Sequence, residues 1–215
     1  MGERRATAVL VHGLWVHAVL MEVQRLFLAR AGFDAVSWSY PSVRATLAEN
    51  AARLAQFARS LAAPAVHWVG HSLGGLVILR MLEAERALPP GRVVLLGVPC
   101  RDSHPARVLA RNALGACVLG RSLREWLAHA KPTDFPGREI GVVAGSRSFG
   151  LGRFLIRGMP APNDGVVAVA ETGLDCARDR IVLPVSHSGM LFSRATARQT
   201  AAFLRDGRFR HGTGG

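Results

Sequence analysis

Ser72 lies in Gly70-His71-Ser72-Leu73-Gly74, a G-x-S-x-G pattern. The pattern follows the apolar run Val66–Val69 and opens a stretch of helical periodicity at Leu73, so the serine is expected on a sharp strand-to-helix turn with its hydroxyl exposed. Glycines flank such a turn because a β-carbon there would collide with the adjoining strand and helix. A serine hydroxyl is a weak nucleophile until a base removes its proton, which directs attention downstream to a histidine. Of His104, His129, His187 and His211, only His187 sits just past an apolar strand-like run, in Val185-Ser186-His187-Ser188-Gly189. The carboxyl ends of strands are where the sites of α/β sheets assemble.

An acid must orient that imidazole and stabilise its charged form, and in the order serine, acid, histidine it falls between residues 72 and 187. Asp164 is the first candidate, in Pro162-Asn163-Asp164-Gly165-Val166-Val167 on the loop after the apolar run Ile140–Ala144. Asp102, just past the preceding strand, is the second. Asn-Asp-Gly also reads as an ordinary turn. An oxyanion formed by attack on a carbonyl needs backbone donors. The N–H of Leu73, at a helix start, and the N–H of Leu14, in the turn Val11-His12-Gly13-Leu14, are the groups expected to supply them. Trp15 beside that turn, and Met190, Leu191 and Phe192 after the histidine, are candidates for an apolar substrate pocket, with Trp15 and Met190 foremost.

These residues must be held by a scaffold, and its elements are legible. Short runs rich in Val, Ile and Leu at Thr7–Val11, Ala35–Ser39, Val66–Val69, Val93–Val98, Ile140–Ala144 and Ile181–Val185 alternate with helical segments. That alternation predicts an α/β fold, with a mostly parallel sheet of about six strands and helices on both faces. In Val43–Ala62, Leu47, Ala51, Leu54, Ala58 and Leu61 form one apolar stripe. His17–Ala31 is predicted helical, with Val19, Val23, Leu26 and Arg30 along one face and Gly32 as its stop. Leu73–Ala87 and Arg194–Leu204 complete the set, the latter capped by Ser193. Segment Arg101–Pro136 is helical in character without a strand of its own, and reads either as a small cap over a pocket or as a crossover helix with long loops. Residues 1–215 read as one domain, with 206–215 as a flexible tail.

Composition excludes several classes. With 49% hydrophobic and 20% charged residues in 215, the chain is not disordered. Its formal charge of +12 comes from 27 basic residues against 15 acidic ones, and Lys131 is the single lysine. The excess makes an anionic lipid surface a candidate peripheral partner. Nucleic acid is disfavoured, since no block of five or six basic residues occurs. Cys100, Cys117 and Cys176 fit neither a disulfide framework nor a zinc site, and a reducing, cytoplasmic setting is expected. Arg4-Arg5 and the apolar stretch from Ala6 to Met21 resemble a signal peptide, but no A-x-A site follows, and the segment is read as mature structure. No G-x-G-x-x-G follows the first strand, no P-loop lysine exists and no H-E-x-x-H occurs, so no cofactor or metal is expected.

Taken in order, Val9-Leu10-Val11-His12-Gly13-Leu14, Gly70-His71-Ser72-Leu73-Gly74-Gly75, Asn163-Asp164-Gly165-Val166-Val167 and Ser186-His187-Ser188-Gly189 resemble the α/β-hydrolase superfamily, specifically its small bacterial lipase/esterase-like and inositol-deacylase-like members. The resemblance covers about Ala6 to Leu204. It implies a single-domain α/β-hydrolase fold, with Ser72 as nucleophile, His187 as base, Asp164 as acid and carboxylic-ester hydrolysis as the commonest activity. A small-molecule ester with an apolar acyl group is the implied substrate. Acyl transfer and thioester hydrolysis use the same triad, and a non-catalytic basic binder of anionic membrane or nucleic acid is the rival outside enzymes. The cap is short and lacks a cluster of calcium-ligand carboxylates, which sets the chain apart from large interfacial lipases.

Overall fold

The six apolar runs become six strands: β1 (Thr7–Val11), β2 (Asp34–Trp38), β3 (Val66–His71), β4 (Val93–Leu96), β5 (Ile140–Gly145) and β6 (Asp179–Leu183). The structure is a computed structural model that describes residues 5–129, 131, 134–149 and 158–212. All neighbouring strands are parallel, in the order β2-β1-β3-β4-β5-β6. β4 stops at Leu96, two residues before the expected end, because Gly97 turns the chain at φ 56°.

Between the strands lie α1 (Glu22–Arg30), α2 (Leu47–Ser60), α3 (Leu73–Ala84), α4 (His104–Leu109), α5 (Ala113–Ala128) and α6 (Arg194–Asp206). Alternate residues of the central strands face opposite layers, as the period of two requires. Val9, Val11, Val66 and Trp68 pack with α2, α3 and Trp126 of α5. Ala8, Leu10, Val69 and Val94 pack with Leu28 of α1 and with Phe203 and Leu204 of α6. Each leucine so buried contributes about 2 kcal/mol relative to an exposed one. Helices therefore cover both faces, and β1, β3, β4 and β5 are buried along their whole length.

The stripe expected on α2 packs inward from Leu47 to Ala58. A capping box fixes its start: Glu49 N–H donates to Thr46 Oγ1 (3.1 Å) and Thr46 N–H donates to Glu49 Oε2 (2.8 Å). α6 starts at Ser193 as expected, whose hydroxyl accepts the Thr196 N–H.

Two expectations are corrected. The stripe assigned to His17–Ala31 is not the buried face, since Val19 is 69% and Leu26 44% exposed while Met21, Gln24 and Leu28 are buried. The chain opens this segment with a 3₁₀ turn, Ala18–Met21, whose three residues per turn rotate the following helix out of phase. The expected tail is docked as far as His211, whose Nε2 lies 2.9 Å from Asp179 Oδ1. Phe209 is buried with its ring 4.9 Å from that of Phe203, its N–H donates to Asp179 Oδ2, and Arg210 exchanges two hydrogen bonds with the Gln199 amide.

His67 of β3 accepts the Arg92 N–H at Nδ1 (2.9 Å), edge-on to Phe33. Burial, with Arg92 adding to it, lowers its pKa to about 4. The unfolded chain takes up this proton below about pH 6.5 while the folded chain refuses it until about pH 4. Stability is therefore expected to fall on acidification between those values by up to about 1.4 kcal/mol per pH unit. His67→Asn keeps the acceptor without the titration. Urea unfolding of both proteins at pH 7 and 4.5 should show a smaller loss for the variant, and parallel losses would exclude His67 as a source.

Candidate active site

Strand order in the sheet reverses at β1: one neighbour, β2, continues to one side and the other, β3, to the opposite side. Open α/β sheets bind ligands at such a switch point, outside the carboxyl ends of the strands. The turn at Gly13 leaves β1 there, and Ser72 leaves β3 there.

Ser72 has φ 52° and ψ −125°, a left-handed conformation that a non-glycine residue adopts only under tight surrounding constraint. Its N–H donates to Leu96 O (3.0 Å). The flanking glycines are demanded by contact. A β-carbon on Gly74 would lie 2.2 Å from Val11 O, and one on Gly70 would lie 2.4 Å from Gly75 Cα. α3 begins directly after the serine, so the N–H of Leu73 belongs to a first helical turn that has no intrahelical acceptors.

His187 and Asp164 are brought together at 2.8 Å, His187 Nδ1 to Asp164 Oδ2. With Nδ1–H given to a carboxylate, the other ring nitrogen, Nε2, carries the lone pair. The Asp164 carboxylate is buried, and its Oδ1 accepts the N–H groups of Val166 (2.9 Å) and Val167 (2.7 Å). These contacts come from the Asn163-Asp164-Gly165 turn itself, so the turn and the acid are one device. The His187 N–H donates back to Asp164 O (2.9 Å). Asp102, the second candidate acid, is elsewhere: it pairs with Arg107 and accepts the Ser103 N–H.

A cavity of about 330 Å³ lies over these groups. Ser72, His187, Leu14, Leu73 and Trp15 line it, together with Leu20, Leu191 and Phe192. Pro105, Ala106 and Leu109 from the α4 segment and Leu119 and Leu123 of α5 supply a further wall, so segment 101–129 contributes the short α4 and the longer, kinked α5 to the pocket. Trp15 Nε1–H donates to Val118 O of α5 (2.7 Å), joining the turn after β1 to that wall. Met190 requires correction. It is fully buried in the α1/α6 layer and does not line the cavity, because the 3₁₀ turn Ser188–Leu191 points it inward and presents Leu191 and Phe192 instead. Among the described residues, none that lines the cavity is Asp, Glu, Lys or Arg. Arg25, Arg59, Arg80, Arg92, Arg101, Arg107, Arg121 and Arg178 instead form ion pairs on the surface.

Three supports were not expected from the sequence. Gly97, at φ 56°, makes room for the acid–histidine pair: a β-carbon there would be 3.1 Å from both Asp164 Oδ2 and His187 Nδ1. Gln24 of α1, fully buried, donates through Nε2 to the carbonyls of Met190 (2.8 Å), Leu191 (3.3 Å) and Ser193 (3.1 Å), fixing the segment after His187. His12 stacks on Tyr40 at 4.4 Å and accepts its N–H at Nε2, while Tyr40 O–H donates to His12 O (2.8 Å). His12 Nδ1–H then donates to Gly13 O (2.8 Å), which braces the turn after β1. Burial pushes the Tyr40 phenol up and holds His12 below the ordinary histidine value. A polar residue alone on a helix face, as Gln24 is, was the available signal. Among the described residues no group of three His, Cys, Asp or Glu is placed to hold a metal ion, and no helix is long and apolar enough to cross a membrane.

A profile of the α/β hydrolase family matches residues 8–210, and the chain belongs to that family. Solved structures share the fold. A metagenomic carboxyl esterase superposes with a TM-score of 0.66 at 18% identity over 87% of this chain and 66% of its own. The carboxylesterase CesB of Bacillus subtilis gives 0.60 at 12% identity over 96% and 85%. The NocB thioesterase domain gives 0.56 at 22% identity over 94% of each chain. No curated protein sequence matches the chain.

Gly97→Ala is expected to lower catalytic turnover about a hundredfold by displacing the acid–histidine pair. Gly137→Ala meets no atom within 4 Å at a similar φ of 75°. It should lose only about 1 kcal/mol of stability and keep its turnover. Equal turnover in the two variants, measured per folded molecule, would remove Gly97 from the site.

Proposed function

We propose that the protein is a serine hydrolase that cleaves neutral carboxylic esters with Ser72, His187 and Asp164. The single observation that carries this reading is that His187, paired with the buried Asp164, lines the same cavity as a serine held at positive φ. Ser72 Oγ attacks the ester carbonyl carbon while His187 Nε2 takes its proton. The N–H groups of Leu14 and Leu73 hold the oxyanion. As the tetrahedral intermediate collapses, the C–O bond to the alcohol breaks and the alcohol leaves with the proton from His187. Water, deprotonated by His187 in turn, attacks the acyl-Ser72 ester and releases the carboxylic acid.

The lining supports an uncharged, apolar substrate, because among the described residues it is mostly Leu, Val, Pro, Trp and Phe, with no ionised side chain to hold an acidic one. The volume of about 330 Å³ is roughly twice that of a cavity that holds benzene, which points to acyl chains of about four to eight carbons. Thioester hydrolysis is the second reading, favoured by the likeness to a thioesterase domain.

The test is a series of p-nitrophenyl esters and N-acetylcysteamine thioesters from two to sixteen carbons, run with Ser72→Ala. Turnover should peak between about four and eight carbons and fall at least a thousandfold in the variant. Fluorophosphonate should label the wild type at Ser72. Full activity in Ser72→Ala would end the hydrolase reading, and faster thioester cleavage would replace the ester by the thioester.

A further inference from the structure

His71 immediately precedes the serine, and its imidazole is buried. Its Nε2 lies 3.1 Å from the backbone oxygen of His187, and the two rings are 4.6 Å apart at 47°. A carbonyl only accepts, so Nε2 of His71 carries the proton and Nδ1 carries the lone pair. That Nδ1 is buried, has no hydrogen-bond partner among the described residues, and faces Gly13, where a β-carbon would meet it at 3.1 Å. The ring thus fills the space between the turn after β1, the serine and the base.

We infer that His71 is a positioning residue for His187, acting as a neutral donor that fixes the backbone of the base at a set distance from Ser72. Without it the two backbone groups of His187 are anchored unequally. The His187 N–H is tied to Asp164 O and the ring to the Asp164 carboxylate, so both of those tethers run to the acid and neither to the nucleophile. The His71 Nε2–H···O bond ties the base to the residue adjoining Ser72. It gives the hydroxyl-to-imidazole distance a covalent and hydrogen-bonded path only three groups long. Neutrality matters as well. When His187 takes the serine proton its ring becomes cationic 4.6 Å from the His71 ring, and a second cation there would oppose the transfer. Burial, followed by the neighbouring His187, lowers the pKa of His71 to about 3, so it stays uncharged throughout the range in which a histidine base works.

This inference rests on the serine-hydrolase reading, and the experiment separates the two. His71→Met and His71→Gln are alike in size, and only the glutamine retains an amide N–H. Turnover is measured per active site titrated with fluorophosphonate, beside Ser72→Ala. His71→Met should lower kcat about 10- to 30-fold with KM changed less than about twofold, and His71→Gln should restore most of the rate. A merely structural role would lower the yield of titratable sites and leave kcat per site unchanged in both variants, which would overturn the inference while Ser72→Ala stayed inactive. Loss of equal size in the glutamine variant would overturn it too. Activity retained in Ser72→Ala would instead sink the underlying reading. Should His71→Met not fold, nitrogen-15 spectra of the wild type decide: a proton on Nε2 of His71 from pH 5 to 8 supports the assignment, and a proton on Nδ1 or a charged ring overturns it.

Discussion

The constraint on which the site depends is the contact between the start of α3 and the end of β1, where Gly74 lies against the backbone oxygens of Val11 and His12. A hydrogen atom fits there and a methyl group does not. That contact sets the distance between the turn after β1 and the serine, and therefore between the backbone donors of Leu14 and Leu73. It also sustains the left-handed φ of Ser72, which costs on the order of 1–3 kcal/mol and persists only because strand and helix over-determine it. The same approach closes Gly70 against Gly75 on the other side of the turn, so the serine is gripped from both directions.

Around this fixed point the remaining groups are held by backbone more than by side chains. The carboxylate of Asp164 takes two N–H groups from its own turn, so its orientation is determined before His187 arrives. The segment after His187 hangs from one amide, Gln24, which reaches the carbonyls of Met190, Leu191 and Ser193 from a helix of the opposite sequence half. Replacing Gln24 by an apolar residue would strand the buried carbonyls of Met190 and Leu191, each costing about 1–3 kcal/mol, while Ser193 O keeps the Ala197 N–H. Its amide nitrogen is therefore spent entirely on the segment after His187, while its Oε1 is buried without a hydrogen-bond partner among the described residues.

The central strands were legible because each is a continuous apolar run covered on both faces; Ser72 and His187 stood out because each follows a strand, and Asp164 because it sits in an Asn-Asp-Gly turn. What escaped the sequence depended on phase or on distance. The 3₁₀ turn Ala18–Met21 shifts α1 by part of a turn, which hid Gln24 behind a stripe of Val19, Val23 and Leu26. A similar turn at Ser188–Leu191 buried Met190, although it stands three residues from the histidine. Gly97 carries no local signal at all, since its necessity comes from two residues 67 and 90 positions later. The docking of Phe209 depends on Asp179, thirty residues earlier, which no local pattern announces.

α5 is kinked at Gly120, where φ 66° and ψ 179° break the helix and a β-carbon would strike Val43. Beyond the kink the helix is bolted down: Ser122 bridges Asn50 and Ala45, and the Glu125 carboxylate caps the first turn of α2 through Leu47. Before the kink, Leu114 and Val118 are 79% and 43% exposed, and the Trp15 indole supplies a tie to Val118. The two halves therefore differ in what it takes to move them. Displacing the second half uncaps a neighbouring helix, whereas displacing the first breaks the indole hydrogen bond and separates Gly115 from the backbone of Leu109 in α4. One edge of the cavity is thus tied to α2 and the other to α4 and the turn after β1, so the two walls answer to different parts of the sequence.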